Sequence, residues 1–344
     1  MKRLCIIIPA FNEQLGIGKS IDSCLAAGLA AEDIYILDDG SKDRTVRTSN
    51  LRHVNVLAEP NIGKEANIKR GIAHYNLFDR YEYMTILDAD SYVDPDYPAA
   101  IERCVKRYPA AVAISGAVRS QRGSWLTAYR AVETFLSTNV YREAQHLLGV
   151  ITVAPGCAST YQCKAFRELD FDGGTLVEDM DWTVQFHRRG QLVVQAMDAI
   201  IYTQDPKTIT GLFHQVQRWH RGTFQVVRLR KLCHCFWHPT MDITAIDMEF
   251  LIIIGEALFF GMGLLLLPLW FYLWPMKTLY ALLADQAVMF AFVLLTARRD
   301  KRLDVIYAFP LFLIPRVVSY CSFLLAFIRE RRPQKVAWYS PERW

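Results

Sequence analysis

Two acidic clusters, Asp38-Asp39 and Asp88-Ala89-Asp90, each stand at the carboxyl end of a short, apolar, β-branched run. That placement constrains the fold more than any other feature, because ligands of an open α/β sheet bind beyond the carboxyl ends of its strands. The runs Leu4–Ile8, Ile34–Leu37, Val54–Leu57, Met84–Leu87 and Val112–Ser115 read as strands. Between them, Leu15–Ala27, Arg44–Asn50, Lys64–Tyr75 and Tyr97–Arg107 read as helices. The alternation predicts a Rossmann-like α/β domain, a mainly parallel sheet with helices on both faces. No G-x-G-x-x-G follows the first run, which argues against the dinucleotide-binding version of this architecture.

Further along, Gly123–Leu148 has the pattern of a long amphipathic helix. Next come a Pro155-Gly156 break, a short run Ser159–Gln162, a helix opening near Glu178 and a strand at Leu192–Ala196. A basic, aromatic helix is then expected from about Thr208 to Leu232. After Asp247 the composition turns apolar. Glu249–Tyr272 and Thr278–Ala297 are each about as long as a bilayer core requires, roughly 20 residues. Glu256 and Asp285 fall inside them, and both are expected to face protein or a wet cavity. Val305–Ile328 carries Pro310, Pro315 and Arg316 near its middle. A full third span would export the basic tail against the positive-inside rule, so this segment is expected to be bent or surface-lying.

The layout so implied is a cytoplasmic domain at residues 1–204 and interfacial helices at 205–248. A membrane region at 249–328 and a basic cytoplasmic tail at 329–344 complete it. The formal net charge of +4 over 344 residues is too mild to argue for nucleic acid. The basic clusters Arg218–Lys231, Arg298–Arg302 and Arg329–Lys335 instead border apolar segments, as an anionic membrane surface would favour. The amino-terminal apolar run is too short for a signal peptide and passes straight into Asn12-Glu13. Eight cysteines without framework spacing fit free thiols in a reducing compartment. Cys233-His234-Cys235 with His238 lacks a second well-spaced pair, so ordinary packing is preferred there to a structural zinc.

Alternation along a strand would point Asp88 and Asp90 to the same side, where paired carboxylates suit Mg²⁺ or Mn²⁺. A polar turn is the competing reading. Asp38-Asp39-Gly40-Ser41 is equally a turn and a helix cap. Asn61-Ile62-Gly63-Lys64 precedes a helix, so its N–H groups and lysine could meet an anion, although a solvated lysine is as common there. Gln215, Arg218 and Trp219 share one helix face. They offer a planar fork for a diphosphate and a flat ring for a sugar, or simply the basic face of an interfacial helix. Asp179 is either a carboxylate complementing a helix dipole or a general base, with Glu178 raising its proton affinity.

Six stretches, taken in order, resemble the processive inverting glycosyltransferases of family 2, the group of cellulose, chitin, hyaluronan and poly-N-acetylglucosamine synthases. They are Pro9-Ala10-Phe11-Asn12-Glu13, Asp38–Asp43, Gly63–Asn67, Asp88-Ala89-Asp90, Glu178-Asp179 and Gln215–Trp219. The tail Trp338–Arg343 is similar to one seen in such synthases. The resemblance implies a glycosyltransferase A fold. It implies donor contacts from Pro9, Asn12, Glu13, Asp39, Lys64, Asp88 and Glu178. It further implies a divalent ion on Asp90 and Asp88, closure by Gln215, Arg218 and Trp219, and Asp179 as base. Val177 stands where the family usually has threonine. N-terminal spans typical of polymer-exporting members do not precede the first strand.

The function so implied is membrane-bound transfer of a sugar, with N-acetylglucosamine preferred, from a UDP-sugar to a growing β-linked saccharide. One alternative is transfer of a single sugar to a polyprenyl phosphate or glycolipid; another is a non-catalytic membrane scaffold. Expected partners are the UDP-sugar, a carbohydrate or lipid-linked acceptor, membrane lipids, and a homo-oligomer or export subunits, but no nucleic acid. The expected location is the inner (plasma) membrane, multi-pass, with the catalytic domain cytoplasmic.

Overall fold

The computed structural model describes residues 2–171, 174–233 and 243–330. The chain divides into two compact units. One holds residues 2–119 and 138–204; the other holds residues 120–137 and the described residues from 205 onward. His234, Cys235 and His238 of the weak zinc pattern, and the tail beyond Glu330, lie outside the described residues.

The first unit is built on one eight-stranded sheet. Its strands are β1 (Lys2–Ala10), β2 (Ile34–Asp38), β3 (Asn55–Ala58), β4 (Tyr81–Ile86), β5 (Tyr92–Val93), β6 (Ala111–Ser120), β7 (Ser159–Gln162) and β8 (Leu192–Thr203). They are ordered β3-β2-β1-β4-β7-β6-β8-β5. Parallel pairing runs from β3 to β4, in register Ile8 to Ile36 and Ile6 to Thr85. Beyond β4 the recorded pairings are antiparallel: β4 with β7, β7 with β6, and β8 with β5. The sheet is therefore more mixed than the alternation suggested. Strands buried on both faces read as continuous apolar runs, and such runs do not encode strand direction.

Alternation along β1 and β2 divides the core in two. Ile6, Ile8, Ile34 and Ile36 pack on the face covered by the helices Ile17–Ala26 and Tyr97–Arg107. Cys5, Ile7, Tyr35 and Leu37 pack on the other, under Lys64–His74 and Glu178–Arg188. Each fully buried isoleucine contributes about 1.5–3 kcal/mol of apolar burial. A one-residue slip would move every one of these side chains to the wrong face. The sheet thus holds the ends of β1, β2 and β4 in fixed register, and those ends carry the first two acidic clusters.

The second unit is helical. Trp125–Leu136 opens with a capping box between Ser124 and Thr127. Ile209–Leu229 starts at Thr208, whose hydroxyl accepts from the Gly211 N–H over 3.1 Å. Arg221 Nε of this helix donates over 2.7 Å to Glu330, at the end of Leu313–Glu330. Two helices, Ala245–Leu273 and Pro275–Arg299, are long and apolar enough to cross a membrane. Asp304–Leu311 and Leu313–Arg329 meet at 59°, a bend in the segment where prolines predicted one. The carboxylate of Asp285 takes both forks of Arg316, at 2.7 and 2.8 Å. Glu256 is exposed, so of the two surroundings expected for it, protein is not the one the described residues of this chain supply.

Candidate active site

The loops at the carboxyl edge of the sheet are tied to one another by side chains the sequence singled out. Asn12 adopts a left-handed conformation (φ 55°) after β1. Its N–H donates to Ser41 Oγ over 2.8 Å, and its own Oδ1 accepts from the Lys42 N–H over 2.9 Å. The buried Glu13 places its N–H 2.8 Å from Thr45 Oγ1. Pro9 lies inside β1 opposite Leu37. Asp38 accepts from the Ser41 N–H over 3.0 Å, so the turn reading holds for Asp38, while the helix Thr45–Asn50 that follows has Arg44 at its N-cap and no side-chain cap bond.

Asp39 does something the sequence did not reveal. Its two carboxylate oxygens accept the N–H groups of Ile62 and Gly63, at 2.8 and 2.9 Å. Gly63 has φ of 91°, a conformation that strains any residue with a Cβ. The pair sets the start of the helix Lys64–His74, and with it the position of the lysine.

Lys64 stands at the centre of the acidic groups. Its Nζ lies 2.9 Å from Asp88 Oδ1 and 2.9 Å from Glu178 Oε1. Burial alone would lower its pKa, but Asp88 and Glu178 together hold it well above the ordinary lysine value. Asp90 is buried and its Oδ1 accepts from Ser91 Oγ over 3.2 Å. The loop carrying it is pressed against the first helix. A Cβ on Gly16 would stand 2.9 Å from the Ala89 carbonyl oxygen and 3.0 Å from Asp90 Cα.

Glu178 and Asp179 open the helix Glu178–Arg188, where carboxylates are favoured by the helix dipole. Val177, at its N-cap, makes no side-chain cap bond, which is the local consequence of having no hydroxyl there. Asp179 Oδ1 accepts from Met180 N–H over 2.9 Å, and Oδ2 from Gly156 N–H over 2.8 Å. Burial pushes the Asp179 carboxyl above its ordinary value of 3.8, and the neighbouring Glu178 charge adds to it. Lys64 and the two N–H donors oppose the rise without cancelling it.

Three further residues belong to this site. Gly156 supplies the N–H for Asp179. The Cys157 thiol sits among Asp88, Asp90, Lys64 and Asp179, and burial pushes its pKa well up, so it stays protonated. Arg142 is buried near Asp179 and Cys157, and burial lowers its pKa to about 10.

Gln215, Arg218 and Trp219 belong to the second unit, on one face of Ile209–Leu229 as the spacing predicts. Gln215 Oε1 is buried with no hydrogen-bond partner among the described residues. No group of three or more histidine, cysteine or acidic side chains stands ready to enclose a metal among the described residues. Asp88 and Asp90 offer hard oxygen donors, which fit Mg²⁺ or Mn²⁺ only when further oxygens come from elsewhere, as from a diphosphate.

Residues 5–170 match the family described as glycosyl transferase family 2. The poly-β-1,6-N-acetyl-D-glucosamine synthase of Staphylococcus epidermidis is 24% identical over 257 residues, covering 72% of this chain and 60% of that protein. The synthase of the same name from Staphylococcus aureus is 25% identical over 234 residues, covering 66% and 56%. The chain thus spans less than two thirds of the length of these curated relatives. Among solved structures, a mannosyltransferase from Pyrobaculum calidifontis in complex with GDP-Man and Mn²⁺ superposes with a TM-score of 0.60 at 14% identity. That match covers 96% of this chain and 87% of the other, and it establishes the glycosyltransferase A fold.

Proposed function

We propose that this chain, whose residues 5–170 are a glycosyl transferase family 2 domain, is a membrane-bound inverting transferase that moves a sugar from a UDP-sugar to the growing end of a β-linked saccharide. N-acetylglucosamine is the preferred sugar, since the curated relatives it resembles are poly-β-1,6-N-acetyl-D-glucosamine synthases. The observation that carries the reading is the Asp179 carboxyl. It is raised in proton affinity, anchored at 2.8 Å by Gly156, and grouped with Lys64 and Glu178.

In this reading Asp179 takes the proton from the acceptor hydroxyl as its oxygen attacks the anomeric carbon. The bond from that carbon to the diphosphate oxygen breaks on the opposite face, so configuration inverts and UDP leaves. A base whose pKa lies nearer the working pH accepts such a proton more readily. Asn12, Glu13 and Asp39, in the loops after β1 and β2, and Pro9, inside β1, receive the nucleotide. Lys64 meets the diphosphate, while Asp88 and Glu178 fix its ammonium. Asp90 and Asp88 would hold Mg²⁺ or Mn²⁺, which supplies Lewis-acid stabilisation of the leaving diphosphate. Gln215, Arg218 and Trp219 are assigned to the diphosphate and the acceptor end by resemblance. The proposed setting is the inner membrane, with the domain of residues 1–204 cytoplasmic, interfacial helices at 205–248, the apolar region 249–328 in the bilayer, and a basic tail.

The test is to incubate purified protein in detergent with labelled UDP-N-acetylglucosamine, UDP-glucose and GDP-mannose, and to size the products. A ladder of saccharides made from UDP-N-acetylglucosamine is expected. A single-sugar lipid product would instead favour transfer to a polyprenyl phosphate or glycolipid. Absence of transfer from every donor would overturn the reading.

A further inference from the structure

Within the second unit, one buried cation lies over the aromatic ring of the Gln215–Trp219 stretch. The guanidinium carbon of Arg130 is 5.1 Å from the centre of the Trp219 indole. Arg130 is only 7% exposed and comes from the helix Trp125–Leu136, about ninety residues earlier in the chain. Its Nε donates to Asp205 Oδ1 over 2.9 Å, and its NH1 is paired with Glu133. Asp205 is itself buried, three residues before the Thr208 cap of the helix that carries Trp219. Glu133 is held in turn by the Tyr129 hydroxyl at 3.0 Å.

We propose that Arg130 is a positioning residue for Trp219: Asp205 and Glu133 fix the plane of its guanidinium, and that plane orients the indole for the acceptor sugar. The proposal rests on the reading of Trp219 as an acceptor contact. Its physical basis is that a buried ion pair contributes little to stability beyond what apolar residues of the same volume would give. Its geometry is the better explanation for its presence. A planar cation anchored from two sides can hold an aromatic face in one orientation, which a flexible apolar side chain cannot. The indole remains partly exposed, so the ring held this way can still meet a ligand. Neither Arg130 nor Asp205 touches the sugar in this account.

The experiment compares purified wild type with Arg130→Lys, Trp219→Phe and the double variant Arg130→Met/Asp205→Asn, which removes the two most buried charges and leaves the partly exposed Glu133 to the Tyr129 hydroxyl. The donor is UDP-N-acetylglucosamine and the acceptor probe a β-1,6-linked N-acetylglucosamine pentasaccharide. The expected result for the double variant is a folded protein whose acceptor KM rises at least tenfold, with a smaller fall in kcat. Arg130→Lys, which keeps the charge but not the anchored plane, should recover only a small part of that loss, and full recovery would show that charge alone, not the plane, is what matters. Emission assigned to Trp219, obtained by subtracting the spectrum of each protein's Trp219→Phe counterpart from the total of eight tryptophans, should shift in the double variant and stay largely shifted in Arg130→Lys.

A double variant whose acceptor KM and Trp219 emission both match wild type, while Trp219→Phe is impaired, would overturn the positioning role alone. Full activity in Trp219→Phe would instead remove the assignment of Trp219, and the proposal with it.

Discussion

The backbone N–H of Gly156 donates to Asp179 Oδ2 over 2.8 Å, so a proline-glycine turn and the first turn of a helix are fastened at the carboxylate itself. The bond leaves Asp179 partly buried beside Glu178, and its proton affinity is raised although two N–H groups point at it. Desolvation outweighs hydrogen bonding here. A carboxylate in that balance takes a proton more readily than an ordinary aspartate, and the first two predictions test it.

Asp179→Asn keeps the shape of the side chain and removes the base. Transfer should fall by about 10²–10⁴-fold, the usual contribution of general-base catalysis. Single-turnover rates on the purified variant measure this. A rate within about threefold of wild type would show that another group takes the proton.

The same carboxyl sets the acidic limb of the pH profile. Because its pKa is raised and the base must be ionised, activity should be lost, as pH falls, earlier than an ordinary aspartate would allow. Lys64 lowers the Asp179 pKa and Glu178 raises it. Lys64→Met should therefore move the limb to higher pH, and Glu178→Gln to lower pH, whatever either change does to the maximal rate. Limbs that move in the opposite senses would contradict the arrangement.

Asp39 accepts two backbone N–H groups from the loop before Lys64. Asp39→Ala leaves both without that acceptor and should cost about 1–3 kcal/mol. A lower thermal midpoint in detergent, accompanied by a raised donor KM, is expected. An unchanged midpoint with unchanged KM would mean that the loop keeps its shape without the carboxylate.

Four carboxylates, Asp88, Asp90, Glu178 and Asp179, share their surroundings with two cations, Lys64 and Arg142, a formal surplus of two negative charges. A diphosphate arriving alone meets like charge. Chelation should therefore abolish transfer, and Mn²⁺ or Mg²⁺ should restore it. Asp90→Ala should raise the metal concentration needed for half-maximal rate, read from titration of the stripped enzyme. Activity indifferent to chelators would remove the metal role of Asp88 and Asp90.

The Asp285–Arg316 pair joins Pro275–Arg299 to the bent segment by two hydrogen bonds. Asp285→Leu or Arg316→Met alone should lower the thermal midpoint, because each strands its partner among apolar neighbours. The double variant should recover most of the loss. Additive losses would show that the pair does not act as a unit.

Much of this arrangement could be read in the sequence. β-branched runs ending in Asp38 and Asp88 marked the carboxyl edge of the sheet, and Tyr97–Arg107 has the helix limits its pattern predicted. The two-residue strand β5 and the one-turn helix Leu77–Arg80 were not legible, since segments so short carry no periodicity. The antiparallel half of the sheet was hidden because Val112–Ser115 and Ser159–Gln162 look alike in either direction. Within the site, residue types pointed to Asp179 and Lys64. The partnership of Asp39 with Ile62 and Gly63, and of Gly156 with Asp179, runs through backbone N–H groups, which every sequence position offers alike. Arg142 gave no signal, and Cys157 none of its place among the carboxylates, for the same kind of reason. What makes them members of the site is burial among charges, and burial is a property of the fold.

The outward-facing Glu256 has a consequence for the life of the molecule in a bilayer. With Ala245–Leu273 across the hydrocarbon layer, a lone copy would show an acid to acyl chains, at a cost of order 2.5–3.5 kcal/mol by analogy with aspartate on insertion scales. Any neighbouring helix that offers a hydroxyl, an amide or a cation at that depth relieves the mismatch. Solitude is thus the expensive condition for this helix, and company of the right polarity the restful one.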